Sequence, residues 1–113
     1  MTAEQLIAAL EAADGARYVL DQAIAKLVLP ADILARVVPP PYTVSIDAAL
    51  TLVPEGWRWS LDWTQRPHYQ DCGRADLYAP GSGIKPPDVC DVYAATPAIA
   101  LCIAALKARG DAA

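Results

Sequence analysis

The segment from residue 42 to residue 63 constrains the fold most, because it encodes a short helix, a stop and a strand in direct succession. Ser45 is a favoured N-cap residue and predicts a helix that begins at position 46. The apolar residues that recur at helical spacing after it are Ile46, Ala49, Leu50 and Val53. The Pro-Glu-Gly sequence at 54–56 then ends the helix and turns the chain. The segment specifies architecture and contains no arrangement of groups that performs chemistry.

Alternating aromatic residues follow this turn and predict a strand. The apolar positions are Trp57, Trp59, Leu61 and Trp63, and the polar positions between them are Arg58, Ser60, Asp62 and Thr64. A period of two is typical of a strand with one buried face. Three tryptophans on one strand face favour a contribution to the core. Two alternatives stay open, a protein-binding surface and a stacking platform for nucleobases or sugars, although an acidic chain supplies a poor basic groove for the latter.

Helical signals precede this central segment. Thr2 and Gln5 have the spacing of a capping box and predict a helix that begins at residue 3. A second helix is predicted over 16–29, and the pattern leaves open whether the two form one bent helix or a helical hairpin. Pro30 ends this helix, and residues 31–38 add a short helical turn. The three prolines at 39–41 then predict a stiff, extended spacer.

The C-terminal half predicts two more strands and a long helix. Residues 65–73 are polar and indicate a hairpin loop, 74–79 a returning strand and 89–93 a short third strand. Thr96 is a favoured N-cap, Pro97 suits the first helical position, and Gly110 is predicted to close the helix. The sequence between them is apolar almost without interruption. Such a helix is normally covered on more than one side.

These elements predict an α/β (α+β) fold of one domain over residues 1–113. A chain of 113 residues is long enough for one modest core. The predicted architecture is a short antiparallel sheet of two or three strands flanked by helices, as a helix–sheet–helix sandwich.

The charge balance limits the partners. The formal net charge is −4 and the isoelectric point is near 4.7, which argues against duplex nucleic acid because such binding depends on Lys and Arg contacts to phosphate. It fits a basic protein partner, such as a nucleic-acid-binding effector. No apolar run reaches the roughly 20 residues of a membrane span, and the N-terminus lacks a basic signal-peptide region. We therefore expect no membrane partner and a location in the host cell cytoplasm; the sequence does not predict an oligomeric state.

Metal binding, disulfide formation and catalysis are not expected. The three cysteines form no Cys-x-x-Cys motif, and Cys102 lies in an apolar stretch typical of the core. One grouping resembles a metal site, with the members His68, Asp71, Cys72 and Cys90. Pro67 and Gly73 disfavour the helical turn that would bring His68 and Cys72 together, so we expect an exposed loop and no cofactor. Residues 81–85, Gly-Ser-Gly-Ile-Lys, precede two prolines and indicate an ordinary turn rather than a phosphate-binding loop.

The segment 65–91 is the predicted binding surface, because it concentrates the residue types that dominate protein interfaces. Its candidate binding residues are Arg66, His68, Tyr69, Asp71, Arg74, Asp76, Tyr78 and Asp88. Tyr and Arg are frequent hot-spot residues, and acidic groups steer a basic partner. Binding residues also tend to lie on loops held by a rigid scaffold.

Two motifs carry a resemblance to a known family. The sequences YTVSIDAALTLVPEGW at 42–57 and ATPAIALCIAALKAR at 95–109 resemble the phage ABA-sandwich domain family of small phage and prophage proteins, and residues 6–15 and 20–25 are compatible with it. The resemblance implies an antiparallel sheet with helices on both sides and a phage or prophage origin. It brings no catalytic residue with it.

Charge, size and resemblance together predict a non-enzymatic phage or prophage accessory protein that acts by protein binding. An inhibitor of bacterial defence of the anti-CRISPR type is the sharpest form of this hypothesis. The alternatives are a small-ligand or nucleotide-binding phage protein and a virion-associated structural protein. An enzyme is not expected, because no acid–base pair or nucleophile constellation can be assembled.

Overall fold

The computed structural model describes residues 2–65, 71–81 and 89–112 as five helices and a three-stranded antiparallel sheet. The elements in chain order are α1 (Ala3–Ala12), α2 (Tyr18–Val28), α3 (Ala31–Leu34), α4 (Ile46–Leu50), β1 (Arg58–Gln65), β2 (Asp71–Tyr78), β3 (Val89–Ala94) and α5 (Pro97–Ala112). The strands lie in the order β1-β2-β3. The predicted mixed α+β class is confirmed. No helix in these ranges has the length and apolar character that crossing a bilayer requires.

Local capping signals are confirmed at three helices. Thr2 Oγ1 accepts a hydrogen bond from the Gln5 amide at 3.1 Å, and Gln5 Oε1 accepts one from the Thr2 amide at 2.9 Å. Ser45 Oγ accepts from the Ala48 amide at 3.2 Å, and Thr96 Oγ1 accepts from the Ile99 amide at 3.2 Å. Each bond satisfies an amide that the helix itself leaves without a partner. The first two helices are separate and pack on each other, so the bent-helix alternative is wrong.

The predicted apolar face of α4 needs a correction. Ala49 is fully buried, but Ile46 is 41% exposed, and the large residue that enters the core is Leu52, just beyond the helix. The chain makes further turn-type hydrogen bonds after Leu50, including Leu52 N to Ala49 O at 3.0 Å. Leu50 and Val53 are partly buried and pack against the core as predicted, so the predicted face is wrong only at Ile46, and the further turn brings Leu52 into the core. Gly56 then has a φ of +86°, a left-handed conformation that explains glycine in this turn.

Helix α5 is the centre of the molecule. Every residue from Ala98 to Leu106 is buried, and the helix contacts all three strands as well as α1 and α4. Its expected coverage on more than one side is confirmed. The helix continues past Gly110 to Ala112, so the predicted end at Gly110 is wrong. Glycine in a helix costs only about 1 kcal/mol relative to alanine, and an otherwise stable helix tolerates it.

The layers run from the sheet to α5 and then to α1 and α4. Within the described ranges, contacts between helix and sheet come from α5 and, on β3, from α1, which also packs on α5. Helix α5 therefore has the sheet on one side and α4 on another, which a helix that is apolar around most of its circumference allows.

A close approach between β2 and α5 sets the distance between sheet and helix. Gly73 lies opposite Trp63 on one side and Ala94 on the other. A Cβ atom added to Gly73 would overlap the backbone of Thr96 and Pro97 at the start of α5. Glycine is thus required at position 73 because there is no room for a Cβ atom, and not because of its backbone conformation.

Gly73→Ala is expected to lower the free energy of unfolding by about 3 kcal/mol, because backbone atoms cannot move aside as a flexible side chain does. Gly110→Ala is the matched control: a Cβ there meets nothing within 4 Å, and alanine should stabilise α5 slightly. Chemical denaturation of both variants measures the difference. Equal stabilities for the two variants would contradict the close approach.

The core also contains a buried thiol bonded to the backbone. Cys102 is fully buried, as the sequence predicts, and its Sγ donates to the Tyr42 carbonyl at 3.2 Å. Burial, and secondarily the negative charge of Asp21, raises the pKa of Cys102 from 9.0 to about 12. The thiol therefore stays neutral in the folded protein at pH values where the unfolded chain ionises.

This pKa difference predicts a loss of stability in alkali. Above about pH 9 the unfolded chain loses a proton that the folded protein keeps, so the free energy of unfolding falls by up to about 1.4 kcal/mol per pH unit. Denaturant unfolding at about pH 8 and about pH 10.5 should show this fall, and Cys102→Ala should show a shallower one. Parallel slopes for the two proteins would exclude the thiol as the cause.

Candidate functional site

The outer strand β1 presents exposed tryptophans. Trp59 is 48% exposed and Trp63 is 65% exposed, so the prediction that the Trp strand belongs to the core is wrong for these two residues. Trp59 lies opposite Leu77 and Trp63 opposite Gly73, which places both on the sheet face that packs against α5. Helix α5 lies over β2 and β3 and makes few contacts with β1. The aromatic face of β1 therefore extends beyond the helix that would have covered it.

An apolar groove lies beside Trp63. Its volume is about 320 Å³, and its lining residues are Ala16, Thr43, Val44, Ile46, Trp63, Thr96, Pro97 and Ala98. Val44 is 66% exposed and Ile46 is 41% exposed, so three large apolar side chains reach solvent around one concave surface. We call this surface the Trp63 groove. Exposed apolar patches of this kind mark interaction sites.

A buried hydrogen-bond cluster holds one wall of the groove. Asp21 on α2 is only 4% exposed, and its Oδ1 accepts from both the amide and the hydroxyl of Thr43 at 2.8 Å. The Thr43 hydroxyl oxygen in turn accepts from the Arg17 amide at 3.1 Å. These bonds fix the turn that presents Val44 to solvent. In the sequence, Asp21 is the one charged residue on the buried face of α2, next to Leu20, Ile24 and Ala25. A lone carboxylate on such a face is the signal that could have indicated this cluster.

Removal of the Asp21 carboxylate should destabilise the protein. Asp21→Ala leaves the buried Thr43 amide and hydroxyl without their acceptor, which we expect to cost about 3 kcal/mol of unfolding free energy. Asp14→Ala is the matched control, because the Asp14 carboxylate is 85% exposed and its ion pair with Arg17 at 2.7 Å contributes little. Urea unfolding compares the two, and an Asp21→Ala protein as stable as the control would refute the anchoring role.

The predicted site residues that the structure describes lie along β2, where Arg74, Asp76 and Tyr78 occupy alternate positions on one face and Asp71 lies on the other. Asp71 is exposed, Arg74 and Tyr78 are half-buried, and Asp76 is buried. Arg74 Nη2 lies 3.5 Å from Asp76 Oδ2, and the Arg58 guanidinium stacks on the Tyr78 ring at 5.5 Å from its centroid. Asp76 is therefore not the exposed residue the sequence predicts. It belongs to the central strand, where neighbours on both sides and the paired arginine cover it.

The other predicted binding residues lie outside the described ranges. These are Arg66, His68, Tyr69 and Asp88. Of the metal-like grouping, the structure describes the side chains of Asp71 and Cys72 only, and Cys72 is a buried free thiol. Within the described part of the chain, no three His, Cys, Asp or Glu side chains are arranged to hold a metal ion.

A second concave surface of about 340 Å³ lies between the end of α1 and the sheet. Its lining residues are Glu11, Ala12, Ala13, Asp14, Asp71, Cys72, Ala94 and Ala95. It contains one predicted binding residue, Asp71, but no aromatic side chain. Because aromatic residues dominate interface energetics, the Trp63 groove is the stronger candidate site.

Comparison of the chain with protein-family models, with curated proteins and with solved structures finds no match.

Proposed function

We propose that the chain is a non-enzymatic protein-binding module that engages its partner through the Trp63 groove. The observation that carries this proposal is the exposure of Trp59 and Trp63 on one strand face, next to the exposed Val44. Tryptophan is among the residues most enriched at interface hot spots, and a large apolar side chain in water is favourably covered by a partner.

The groove suits binding because its walls are rigid. Trp63 is carried by a paired strand, Val44 by the turn that Asp21 anchors, and Pro97 by the capped start of α5. A surface that is already ordered loses little conformational entropy on association. Hence an apolar side chain of a partner finds a preformed concave site.

The charges around the groove favour a basic partner. Asp47 directly follows Ile46 and is exposed, and the whole chain has a formal net charge of −4. Acidic charge on a binding protein accelerates association with a positively charged partner, and this effect weakens with added salt.

In biological terms, we propose a phage or prophage accessory protein. In the most specific form of this proposal, the protein inhibits a bacterial defence system by binding a basic, nucleic-acid-binding effector. This part rests on the resemblance of segments 42–57 and 95–109 together with the acidic surface. A small apolar ligand is the second candidate, because the groove volume of about 320 Å³ falls at the lower end of ligand-pocket sizes.

The test of the groove is affinity capture from host lysate with variants matched in chemistry and exposure. Val44→Asp places a charge in the groove and should reduce retention of the captured partner at least about tenfold. Val19→Asp is the control: Val19 is 69% exposed and lines a different depression on α2 with Gln22 and Lys26. It should retain the partner at the wild-type level.

Two results would contradict the proposal. Retention that survives Val44→Asp but is lost in Arg74→Ala and Tyr78→Ala would move the interface to the segment 65–91. The second result is that no captured protein depends on Val44, while small apolar compounds quench the tryptophan fluorescence saturably. That result would favour the ligand-binding alternative.

A further inference from the structure

We propose that the outer edge of β1 pairs with β1 of a second copy of this chain, antiparallel and about a two-fold axis at Ser60. This pairing joins two three-stranded sheets into one continuous sheet. It goes beyond the proposed protein-binding function and does not depend on it.

The first observation is the nature of the edge. Within the described residues, β1 pairs with β2 alone, so the other side of an eight-residue strand is an edge. Its sequence, RWSLDWTQ, contains no proline and no lysine, and its two charged residues have opposite signs, so they do not repel a second copy in every register. Trp59 and Trp63 on this strand are also the most exposed aromatic residues of the sheet. A long, aromatic edge of this kind is a template for another strand.

The second observation is that the strand is complementary to itself in charge. A two-fold axis perpendicular to the sheet brings equivalent faces together, and an axis at Ser60 places Arg58 opposite Asp62 of the second copy. By symmetry the pair occurs twice. Opposite charges directly across an antiparallel pair are stabilising, whereas like charges are destabilising. Both charged side chains of the strand thus meet an opposite charge.

The same register matches the apolar face. Trp57 lies opposite Trp63 of the second copy, and Trp59 lies opposite its Leu61. Aromatic–aromatic and aromatic–aliphatic cross-strand pairs are favourable and would cover the outer-edge side of these tryptophans, away from Val44. The second copy therefore supplies apolar contacts to Trp59 and Trp63 that α5 does not make.

Neighbouring registers fit less well. With the axis at Asp62, this aspartate faces its own copy, a like-charge contact. With the axis at Leu61, Trp59 faces Trp63 twice, but Asp62 faces Ser60 and Arg58 faces Thr64, so no ion pair forms. Charge therefore selects the axis at Ser60.

In this dimer both Trp63 grooves lie on the α5 side of the joined sheet, and the two Trp63 positions are separated by roughly 20 Å along the strands, at about 3.4 Å per residue.

Charge exchange tests the register. Sedimentation velocity over a range of concentrations should show a monomer–dimer equilibrium for the wild-type chain. Arg58→Glu and Asp62→Lys each create two like-charge contacts and should weaken dimerisation at least about tenfold. The double variant and an equimolar mixture of the two single variants should both recover it. Glu11→Lys, an exposed position on α1, is the control for charge change alone and should dimerise as the wild type does.

A cross-link tests the axis without changing the charges. In a Cys90→Ser background, Ser60→Cys places two thiols opposite each other at a Cα separation compatible with a disulfide, so mild oxidation should give a covalent dimer. Thr64→Cys, away from the axis, should not.

The proposal is overturned by a wild-type chain that sediments as a monomer throughout, by single charge variants that dimerise as tightly as the wild type, or by equal cross-linking at positions 60 and 64. None of these results bears on partner capture through Val44, so the two proposals fail separately.

Discussion

The burial of α5 from Ala98 to Leu106 is the constraint on which the rest of the structure depends. A helix that is apolar around its circumference is stable in water only if other elements surround it, and here the sheet covers one side while α1 and α4 cover others. Its many alanines let neighbours approach closely, and at Gly73 the strand backbone comes so near that no side chain fits. Larger residues such as Ile99, Leu101 and Ile103 then fill the core.

The position of α5 also determines what is left uncovered. Helix α5 lies over β2 and β3. The third strand, β1, carries Trp59 and Trp63 on the same sheet face, but α5 does not extend far enough to cover them. Exposed tryptophan is unfavourable in water, so both proposals derive from this one feature of the packing. They use different parts of it: the groove lies toward α5 and the turn at Val44, and the pairing edge lies along the backbone of β1.

Polar interactions in the interior complement this apolar packing. Asp21 bridges α2 to the turn at Thr43, and Cys102 bonds the carbonyl of Tyr42, so two consecutive residues of that turn are tied to two different helices. A buried carboxylate is stable only where donors satisfy it. The cluster makes the turn before α4 a rigid part of the molecule, which is why Val44 and Ile46 can form a defined surface.

The sequence by itself determined the features that depend on contacts within a few residues. The caps at Thr2, Ser45 and Thr96 need only a side chain and an amide three positions away, and the alternation in β1 is a property of one strand. Likewise, the apolar character of α5 was enough to predict that it is surrounded. The alternation also places the three tryptophans on one face, and a protein-binding surface is one of the uses that this pattern predicts.

Tertiary structure decided which of these faces are covered. Alternation shows that Trp59 shares a face with Leu61, but only the lateral position of α5 leaves that tryptophan in solvent. Composition shows that Asp76 is a polar residue in a polar region, but its burial follows from the central position of β2 and the nearby Arg74. Asp21 and Thr43 are 22 residues apart in the chain, and no local pattern joins them. Burial and pairing between distant segments depend on the packing of whole elements, and that packing is settled only when the chain folds.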